Sequence, residues 1–168
     1  MAGIATPATA LKRTCKPSGP LELRHIIAAR LHLLHRRSCP WASDAPPDAL
    51  YRGEYAELVA ASYLRTQGVR VLRRRFRWGK VGELDIVARQ GDTLVICEVK
   101  STIAPEYGAP ARAVNHSKRR RLRQGARNWL RLLKRRVPVR FDVLEVYLKA
   151  GQRPIIEWRK GVFPLVGD

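Results

Sequence analysis

The chain has 168 residues and carries 33 lysine and arginine residues against 14 acids, which gives a formal net charge of +19. This length fits one domain with a tail, and the charge favours a polyanionic partner, of which nucleic acid is the commonest soluble example. The 3 cysteines lack the spacing of a zinc site or a disulfide framework, and no apolar run approaches the ~20 residues of a membrane-spanning helix. A disulfide-stapled scaffold and a membrane span are therefore excluded, reduced thiols favour the cytoplasm, and a ribosomal or membrane-surface protein stays compatible with the charge.

Residues 1–50 differ in composition from the rest of the chain. Small residues and proline dominate 1–20 and 38–48, which is typical of flexible chain. Glu22 is the only acid among residues 1–37, which also suits a targeting peptide, but no compact apolar core is followed by a cleavage signal. We interpret 1–50 as a flexible basic N-terminal extension, with the folded domain beginning near residue 51.

The first predicted helix covers residues 51–67. Asp48 is placed to cap its N-terminus, and Gly68 is placed to end it. Glu57 recurs at helical spacing with Leu64, so its carboxylate points with the apolar residues rather than away from them. A half-exposed charge near the helix start, favoured by the helix dipole, is the alternative for Glu57.

A first strand over residues 69–76 ends in a run of arginines interleaved with two aromatic residues. Such a run is able to contact phosphates and to stack on unpaired bases. A solvated, twisted strand end is the alternative, with Phe76 or Trp78 belonging to the core. The arginines of this candidate phosphate-binding run are Arg73, Arg74, Arg75 and Arg77.

A β-hairpin is predicted next, from residues 82–88 and 93–100. Both runs are rich in β-branched and aliphatic residues, and the glycine and polar residues of 90–92 are turn chemistry. Because side chains alternate along a strand, Glu98 and Lys100 project from one face, on which Leu94 and Ile96 also lie.

The charged residues of the hairpin are unusual in so apolar a context. Charged groups are almost never buried without a partner or a metal. If the two strands pair antiparallel, Asp85 comes near Glu98, and two carboxylates repel each other unless a cation or a shared proton intervenes. Two acids with room for water and phosphate oxygens suit Mg²⁺, and an adjacent Lys100 can stabilise charge that develops on phosphorus. A buried Glu98–Lys100 ion pair, or two edge charges that reach water, is the alternative.

A second helix is predicted over residues 111–136, after a loop over 101–110 that contains proline and glycine. An apolar stripe at helical spacing indicates that this helix packs on the sheet; its members are Leu122, Ala126, Trp129, Leu130 and Leu133. Like charges one turn apart repel, so a row of arginines at every fourth position is carried most readily where an anion compensates it. We predict a nucleic-acid-binding surface here rather than a merely solvated face, formed by Arg119, Arg123, Arg127 and Arg131 and continuing to Arg135.

The remaining elements are strands. Residues 139–148 alternate as a strand after Pro138, and 155–158 form an edge strand within a C-terminal segment, 151–168. Helix, three strands, helix and strand in this order predict an α/β domain over 51–150.

Four short blocks occur in the order found in one nuclease superfamily. They are Gly53-Glu54-x-x-Glu57, Gly82-Glu83-x-Asp85, Cys97-Glu98-Val99-Lys100 and Arg140-Phe141-Asp142. An Asp, a spacer and Glu-x-Lys alone is a weak pattern, whereas four blocks in order are far more specific. From about residue 51 to residue 146 the chain resembles the YraN-type branch of the PD-(D/E)xK nucleases, akin to archaeal Holliday-junction resolvases. The resemblance implies a restriction-endonuclease-like α/β/α sandwich around a central mixed β-sheet.

The resemblance also implies the residues of a catalytic site. Asp85, Glu98 and the backbone carbonyl of Val99 would hold Mg²⁺, or Mn²⁺ in its place. Lys100 would orient water or stabilise the developing charge, and Glu57 would complete the metal shell or steer a water.

Three further positions enter through the resemblance. Lys118 matches a family position from which a side chain is able to approach the site and the nucleic acid. Asp142 is expected to be structural, with an ion pair rather than a metal. Thr102 stands where YraN-like chains often carry another basic residue, so a phosphate contact is not expected there.

These observations predict a Mg²⁺-dependent endonuclease that cleaves DNA, with branched or damaged DNA as the substrate class that the resemblance suggests. One alternative is a binding module that keeps the nuclease fold without chemistry. Another is a basic protein associated with RNA or the ribosome. Resolvase-like cleavage of two strands would suggest a homodimer.

Overall fold

The computed structural model describes residues 34–41, 47–79, 82–103 and 114–166. Over these ranges the chain forms two α-helices and five strands, after a short 3₁₀ turn at Leu34–Arg36. The helices are α1 (Ala49–Thr66) and α2 (His116–Leu133). The strands are β1 (Arg70–Trp78), β2 (Gly82–Gln90), β3 (Thr93–Thr102), β4 (Val139–Tyr147) and β5 (Ile155–Phe163).

The five strands form one mixed sheet in the order β1-β2-β3-β4-β5. The pairs β1/β2, β2/β3 and β4/β5 are antiparallel, whereas β3 and β4 are parallel. A parallel pair needs a crossover connection, and α2 provides it between β3 and β4. Because α1 packs on one face of the sheet and α2 on the other, the predicted α/β/α sandwich with a central mixed sheet is confirmed.

The ends of the helices follow from local chemistry. The Asp48 side chain accepts the Tyr51 N–H at 2.8 Å, as the capping prediction requires, although α1 begins two residues earlier than predicted. The Asn115 side chain caps α2 by accepting the Lys118 N–H at 2.9 Å. This second helix is shorter than predicted because Lys134 adopts a left-handed conformation that ends it. Residues 104–113, which include most of the predicted loop, lie outside the described residues.

Two apolar cores lie on the two faces of the sheet. Val95 and Cys97 of β3 pack on the α1 side. Leu94 and Ile96 pack on the α2 side. The predicted alternation of β3 is therefore confirmed, and Glu98 continues the face that α2 covers.

The alternation of β1 and β2 is interrupted at Arg75. Its φ of 50° lies in the left-handed region, and the register of β1 with β2 omits Arg75 and Asp85. Ile86 packs on the α1 side, whereas Leu84, two residues away, packs on the α2 side. A regular strand would place both side chains on one face of the sheet. The side-chain alternation of β1 and β2 therefore shifts by one residue at this point.

The change of face brings two aromatic rings into the α2 core. Phe76 meets Trp129 edge to face, with ring centroids 4.8 Å apart, and stacks beside Trp78 at 6.2 Å. Both rings pack against the α2-side cluster. Stacking of Phe76 and Trp78 on unpaired bases is therefore not supported, and the core alternative is the one observed.

Residues 34–41 pack on the domain, unlike the flexible extension expected for 1–50. The His35 Nδ1 lies 3.0 Å from the Ser62 Oγ of α1, and the Cys39 N–H donates to the Gln152 carbonyl at 2.8 Å. Cys39 is buried in the α1-side core. A few apolar contacts thus hold residues 34–41 on the domain, although their average composition is typical of flexible chain. Residues 1–33 and 42–46 lie outside the described residues.

The C-terminal edge strand is confirmed and extends to Phe163. It belongs to the same sheet as the preceding strands, so 151–166 is part of the domain rather than an appendage. None of the helices in the described ranges has the length and apolar character needed to cross a membrane.

The close approach of α2 to the turned-over strands depends on Gly125. A Cβ atom at this position would lie 2.7 Å from Leu84 Cδ2 and from the Trp78 ring. We expect Gly125→Ala to lower the free energy of unfolding by about 1–3 kcal/mol, because overpacking outweighs the gain in helix propensity. Gly53→Ala in α1 is the matched control, since no atom lies within 4 Å of its Cβ position. Urea unfolding measures both variants, and a neutral or stabilising Gly125→Ala would contradict the packing.

Candidate active site

The candidate site lies where β2 and β3 stop pairing. Their register runs from Gln90–Thr93 to Ile86–Cys97 and does not include Asp85 and Glu98. The Asp85 Oδ2 instead accepts the Val99 N–H at 2.8 Å. A side chain thus takes the place of a strand partner. The N–H and C=O of one strand residue point to the same side, so the Val99 carbonyl faces the same gap.

Asp85 is a poorly solvated acid beside a second one. The pKa of Asp85 is raised to about 7, first by burial and next by the negative charge of Glu98. The Val99 N–H and the charge of Lys118 oppose the rise. The two carboxylates that the hairpin was predicted to bring together are therefore close enough to interact strongly.

Glu98 is 9% exposed, and its Oε2 lies 2.8 Å from the Nζ of Lys118. The Asn115 cap and the helical repeat direct Lys118 from the first turn of α2 towards the sheet. The ion pair of Glu98 is thus with Lys118, not the Glu98–Lys100 pair considered as an alternative. The expectation that Lys118 approaches the site agrees with this geometry.

A second group of acids surrounds Arg75, the residue at which the alternation of β1 is interrupted. The guanidinium contacts Glu54 and lies 3.1 Å from Glu83, and its Nε lies 3.7 Å from the Glu57 Oε2. Arg77 also pairs with Glu83. The guanidinium of Arg75 is therefore occupied by carboxylates rather than available to phosphates as predicted, because three acids lie around it.

Glu57 is buried, as its helical spacing indicated. It is 9% exposed, and no hydrogen bond from the described residues reaches its Oε2. Burial raises the pKa of Glu57, while the charge of Arg75 lowers it. Its charge also contributes to the raised pKa of Asp85, so it lies near the carboxylate pair without joining it.

Lys100 lies on the α2 face two residues after Glu98 and is half-buried. The parallel register places Glu145 of β4 beside it. Glu145 is buried and accepts the Tyr147 O–H at 3.0 Å. This pair was not predicted from the sequence. Strand alternation in 139–148 would have placed Glu145 and Tyr147 on the face of Val143, but only the parallel pairing brings Glu145 beside Lys100.

Asp142 has the structural role that was expected. It is 1% exposed and accepts hydrogen bonds from Arg140 at 2.9 Å, from the Trp158 indole at 2.9 Å and from the Gly161 N–H at 3.0 Å. These contacts tie β4 to the edge strand β5.

The arginines that were predicted to bind nucleic acid differ in exposure. Arg119 donates to the Val114 carbonyl at 2.8 Å, and its guanidinium lies over the Phe163 ring. Arg123 is 7% exposed and donates to the Pro164 carbonyl at 3.0 Å. The predicted continuous row is therefore interrupted, because its first half is used to hold the C-terminal segment. The exposed members are Arg73, Arg77, Arg127 and Arg131, with Arg74 half-buried.

The donor set fits a hard cation that keeps part of its hydration shell. In the described ranges, no group of three or more His, Cys, Asp or Glu side chains is gathered closely enough to hold a metal ion. Mg²⁺ commonly uses one or two carboxylates together with waters and substrate phosphates. Asp85 and Glu98, with the Val99 carbonyl facing the same gap, supply that smaller set, and their mutual repulsion favours a cation between them.

Comparison with known proteins assigns the family. A family model described as "Uncharacterised protein family UPF0102" matches residues 56–146. A UPF0102 protein of Streptomyces coelicolor is 41% identical over 112 residues, covering 66% of this chain and 86% of that protein. A UPF0102 protein of Rhodococcus opacus is also 41% identical, covering 66% and 94%.

Among solved structures, the chain is similar to Pyrococcus furiosus SfsA in complex with Ca²⁺, at 15% identity and a TM-score of 0.35, covering 67% of this chain and 64% of that one. The resemblance to the YraN-type branch is confirmed. The chain belongs to the uncharacterised protein family UPF0102, the YraN family, within the restriction-endonuclease-like superfamily.

Proposed function

We propose that the protein is a metal-dependent phosphodiesterase that cleaves nucleic acid, with DNA as its substrate. The observation that carries the proposal is the placement of Asp85 and Glu98 at the point where β2 and β3 separate. Bringing the half-buried Asp85 next to the buried Glu98 is costly between strands whose other buried residues are apolar. Such a pair is retained most readily where it binds something.

Asp85 and Glu98, with the Val99 carbonyl, would hold the cation. When bound, Mg²⁺ or Mn²⁺ would polarise the phosphodiester and lower the pKa of a water. The Val99 N–H holds one oxygen of Asp85, and the other oxygen is the one that would bind the cation. This fixed orientation reduces the reorganisation that binding would require.

The cationic and acidic neighbours have separate roles in this proposal. Lys100, on the face of Glu98, stabilises the negative charge that develops on the phosphate oxygens. Lys118 neutralises Glu98 at 2.8 Å in the absence of a cation, and a bound cation would take over this compensation. Glu57, with a buried oxygen that accepts no hydrogen bond from the described residues, steers a water towards the scissile phosphate.

The charge of the chain supports a polyanionic substrate. A net charge of +19 attracts nucleic acid from a distance and lowers the cost of bringing phosphates next to carboxylates.

A binding module without chemistry is the second candidate, and one specific observation favours it. Lys118 already compensates Glu98, and Arg75 already contacts Glu54 and Glu83. A protein whose acids are compensated by its own cations needs no metal to be stable.

Cleavage separates the two candidates. We expect Asp85→Asn to reduce metal-dependent cleavage by at least about 100-fold while binding is kept, because the shape is retained and only the charge is lost. Asp92→Asn is the matched control: this acid lies in the turn of the same hairpin and pairs with Arg89 at 2.8 Å. The assay uses labelled single-stranded, duplex, flap and four-way-junction DNA and RNA, with Mg²⁺, Mn²⁺ or EDTA. Equal cleavage by Asp85→Asn and the wild type would refute the assignment, and binding without cleavage would favour the module.

The stability of the metal-free protein provides an independent test. The pKa of Asp85 is raised in the folded state to about 7, so the folded protein binds this proton more tightly than the unfolded chain does. The resulting stabilisation is present below the unfolded pKa of about 4 and is lost as pH rises to about 7. We therefore expect the Tm of Asp85→Asn minus the Tm of the wild type to increase by about 4 °C or more between about pH 4 and about pH 8 in EDTA.

Adding Mg²⁺ at about pH 8 extends the same test. The cation should raise the Tm of the wild type and of Asp92→Asn but leave Asp85→Asn unchanged, since a ligand stabilises only the protein that binds it. A pH-independent difference between the variants, or an equal response of all three proteins to Mg²⁺, would contradict the site.

A further inference from the structure

Helix α2 carries arginines that take part in none of the ion pairs in the described residues. The cations that pair with carboxylates are Arg75, Arg77, Arg89, Lys118, Arg140 and Arg159. None of the ion pairs in these ranges uses Arg120, Arg127 or Arg131. Helix α2 contains no acid in its sequence, so these side chains have no opposite charge on their own helix either. Among the described residues, Arg120, Arg127 and Arg131 therefore carry positive charge that no ion pair compensates.

The three arginines lie on the side of α2 that faces away from the carboxylate site. Lys118 points to Glu98, and Leu122 and Ala126 are buried against the sheet. Arg127 follows Lys118 by nine residues, which is two and a half turns at 3.6 residues per turn. It therefore lies on the opposite side of the helix, and Arg120 and Arg131 lie within about 40° of it.

This outer face contains two grooves that meet at Arg127. The first has a volume of about 580 Å³ and is lined by Arg120, Gln124 and Arg127 on the helix and by Val166 of the C-terminal segment. The second has a volume of about 530 Å³ and is lined by Arg127, Arg131 and Lys134.

The first groove has a fixed wall. Arg123, which is 7% exposed, donates to the Pro164 carbonyl at 3.0 Å and lies over the Phe163 ring. This buried contact holds the C-terminal segment beside the helix. Arg123, which interrupts the predicted row of arginines, thus fixes one wall of the groove that Arg120 and Arg127 also line.

We propose that the outer face of α2, formed by Arg120, Gln124, Arg127 and Arg131, is a second nucleic-acid-binding surface, separate from the carboxylate site. It binds the phosphate backbone; only the choice of nucleic acid as the polyanion rests on the proposed function. From Arg120 to Arg131 is about 16 Å along the helix, which matches about five nucleotides of one strand at 3.4 Å each.

The position of this surface constrains how a substrate is held. It lies on the opposite side of α2 from Lys118, the residue that contacts Glu98. A nucleic acid that reaches both this surface and the carboxylate site must bend around α2 or contribute two segments. The outer face therefore adds affinity without taking part in the bond cleavage.

Equilibrium binding in EDTA tests this surface without any need for cleavage. The probe is a fluorescent DNA duplex of about 20 base pairs, titrated from about 50 mM to about 300 mM salt. The test variant is the triple change Arg120→Gln, Arg127→Gln and Arg131→Gln. The control variant, Arg36→Gln, Lys149→Gln and Arg153→Gln, removes the same charge from exposed positions around the turn after β4 and the segment that packs on it.

We expect the α2 variant to weaken binding at about 0.1 M salt by about 30-fold to 1,000-fold and to reduce the slope of log K against log salt by about 2 to 3. The control variant should lose less than about a third of that slope change. Equal losses in the two variants, or none in the α2 variant, would overturn the proposal, since binding would then respond to net charge alone.

Two further readouts keep the interpretations apart. Binding to vesicles that contain anionic lipid, lost in the α2 variant while DNA binding is retained, would overturn the proposal in favour of a membrane surface. Weakened DNA binding by the α2 variant in a protein that cleaves nothing would support the surface and refute only the nuclease. If the protein cleaves DNA, the α2 variant is expected to cleave less at sub-saturating DNA, because the half-saturating concentration is raised.

Discussion

The contact between the Asp85 carboxylate and the Val99 N–H is the interaction on which the arrangement of the site depends. At this point a side chain replaces the strand partner, so β2 and β3 separate and leave a gap. On the other side of β2, the left-handed backbone of Arg75 lets β1 turn over with it. The same change of face supplies the aromatic rings against which α2 packs, and α2 in turn brings Lys118 to Glu98. This irregularity in the strands thus opens the gap and also determines where α2 packs beside it.

The electrostatic arrangement follows from placing acids inside a strongly basic protein. Each buried acid near the gap lies beside a cation of the chain: Glu98 beside Lys118, and Glu57 beside Arg75. Asp85 accepts the Val99 N–H but forms no ion pair within the described part of the chain, and burial and the charge of Glu98 raise its pKa. It is therefore the residue at which an added cation would gain most. On the outer face of α2 the situation is the opposite. Its arginines have no carboxylate partners among the described residues, so a polyanion would bind there most favourably.

Much of the fold could be predicted from local patterns, since they depend on neighbours in the sequence. The cap at Asp48, the alternation of β3 and the approach of Asp85 to Glu98 all follow from spacing. The left-handed Arg75 could not be predicted, because no glycine or turn signal marks it. The burial of Phe76, Trp78 and Arg123 depends on which surface packs over them, and hydrophobic spacing within one strand or helix does not contain that information. Residues 34–41 were missed because composition averages over the few apolar anchors that dock them.

Anomalous diffraction from crystals of the protein soaked in Mn²⁺ is the most direct test of metal binding by the carboxylate pair. We expect a peak between the Asp85 and Glu98 carboxylates and within reach of the Val99 carbonyl, with the Lys118 Nζ no longer within ion-pair distance of Glu98. Crystals of Asp85→Asn treated in the same way should lack the peak. A wild-type map without a peak at this position, and with Lys118 still in contact with Glu98, would contradict a metal site here and leave the two acids with a structural role.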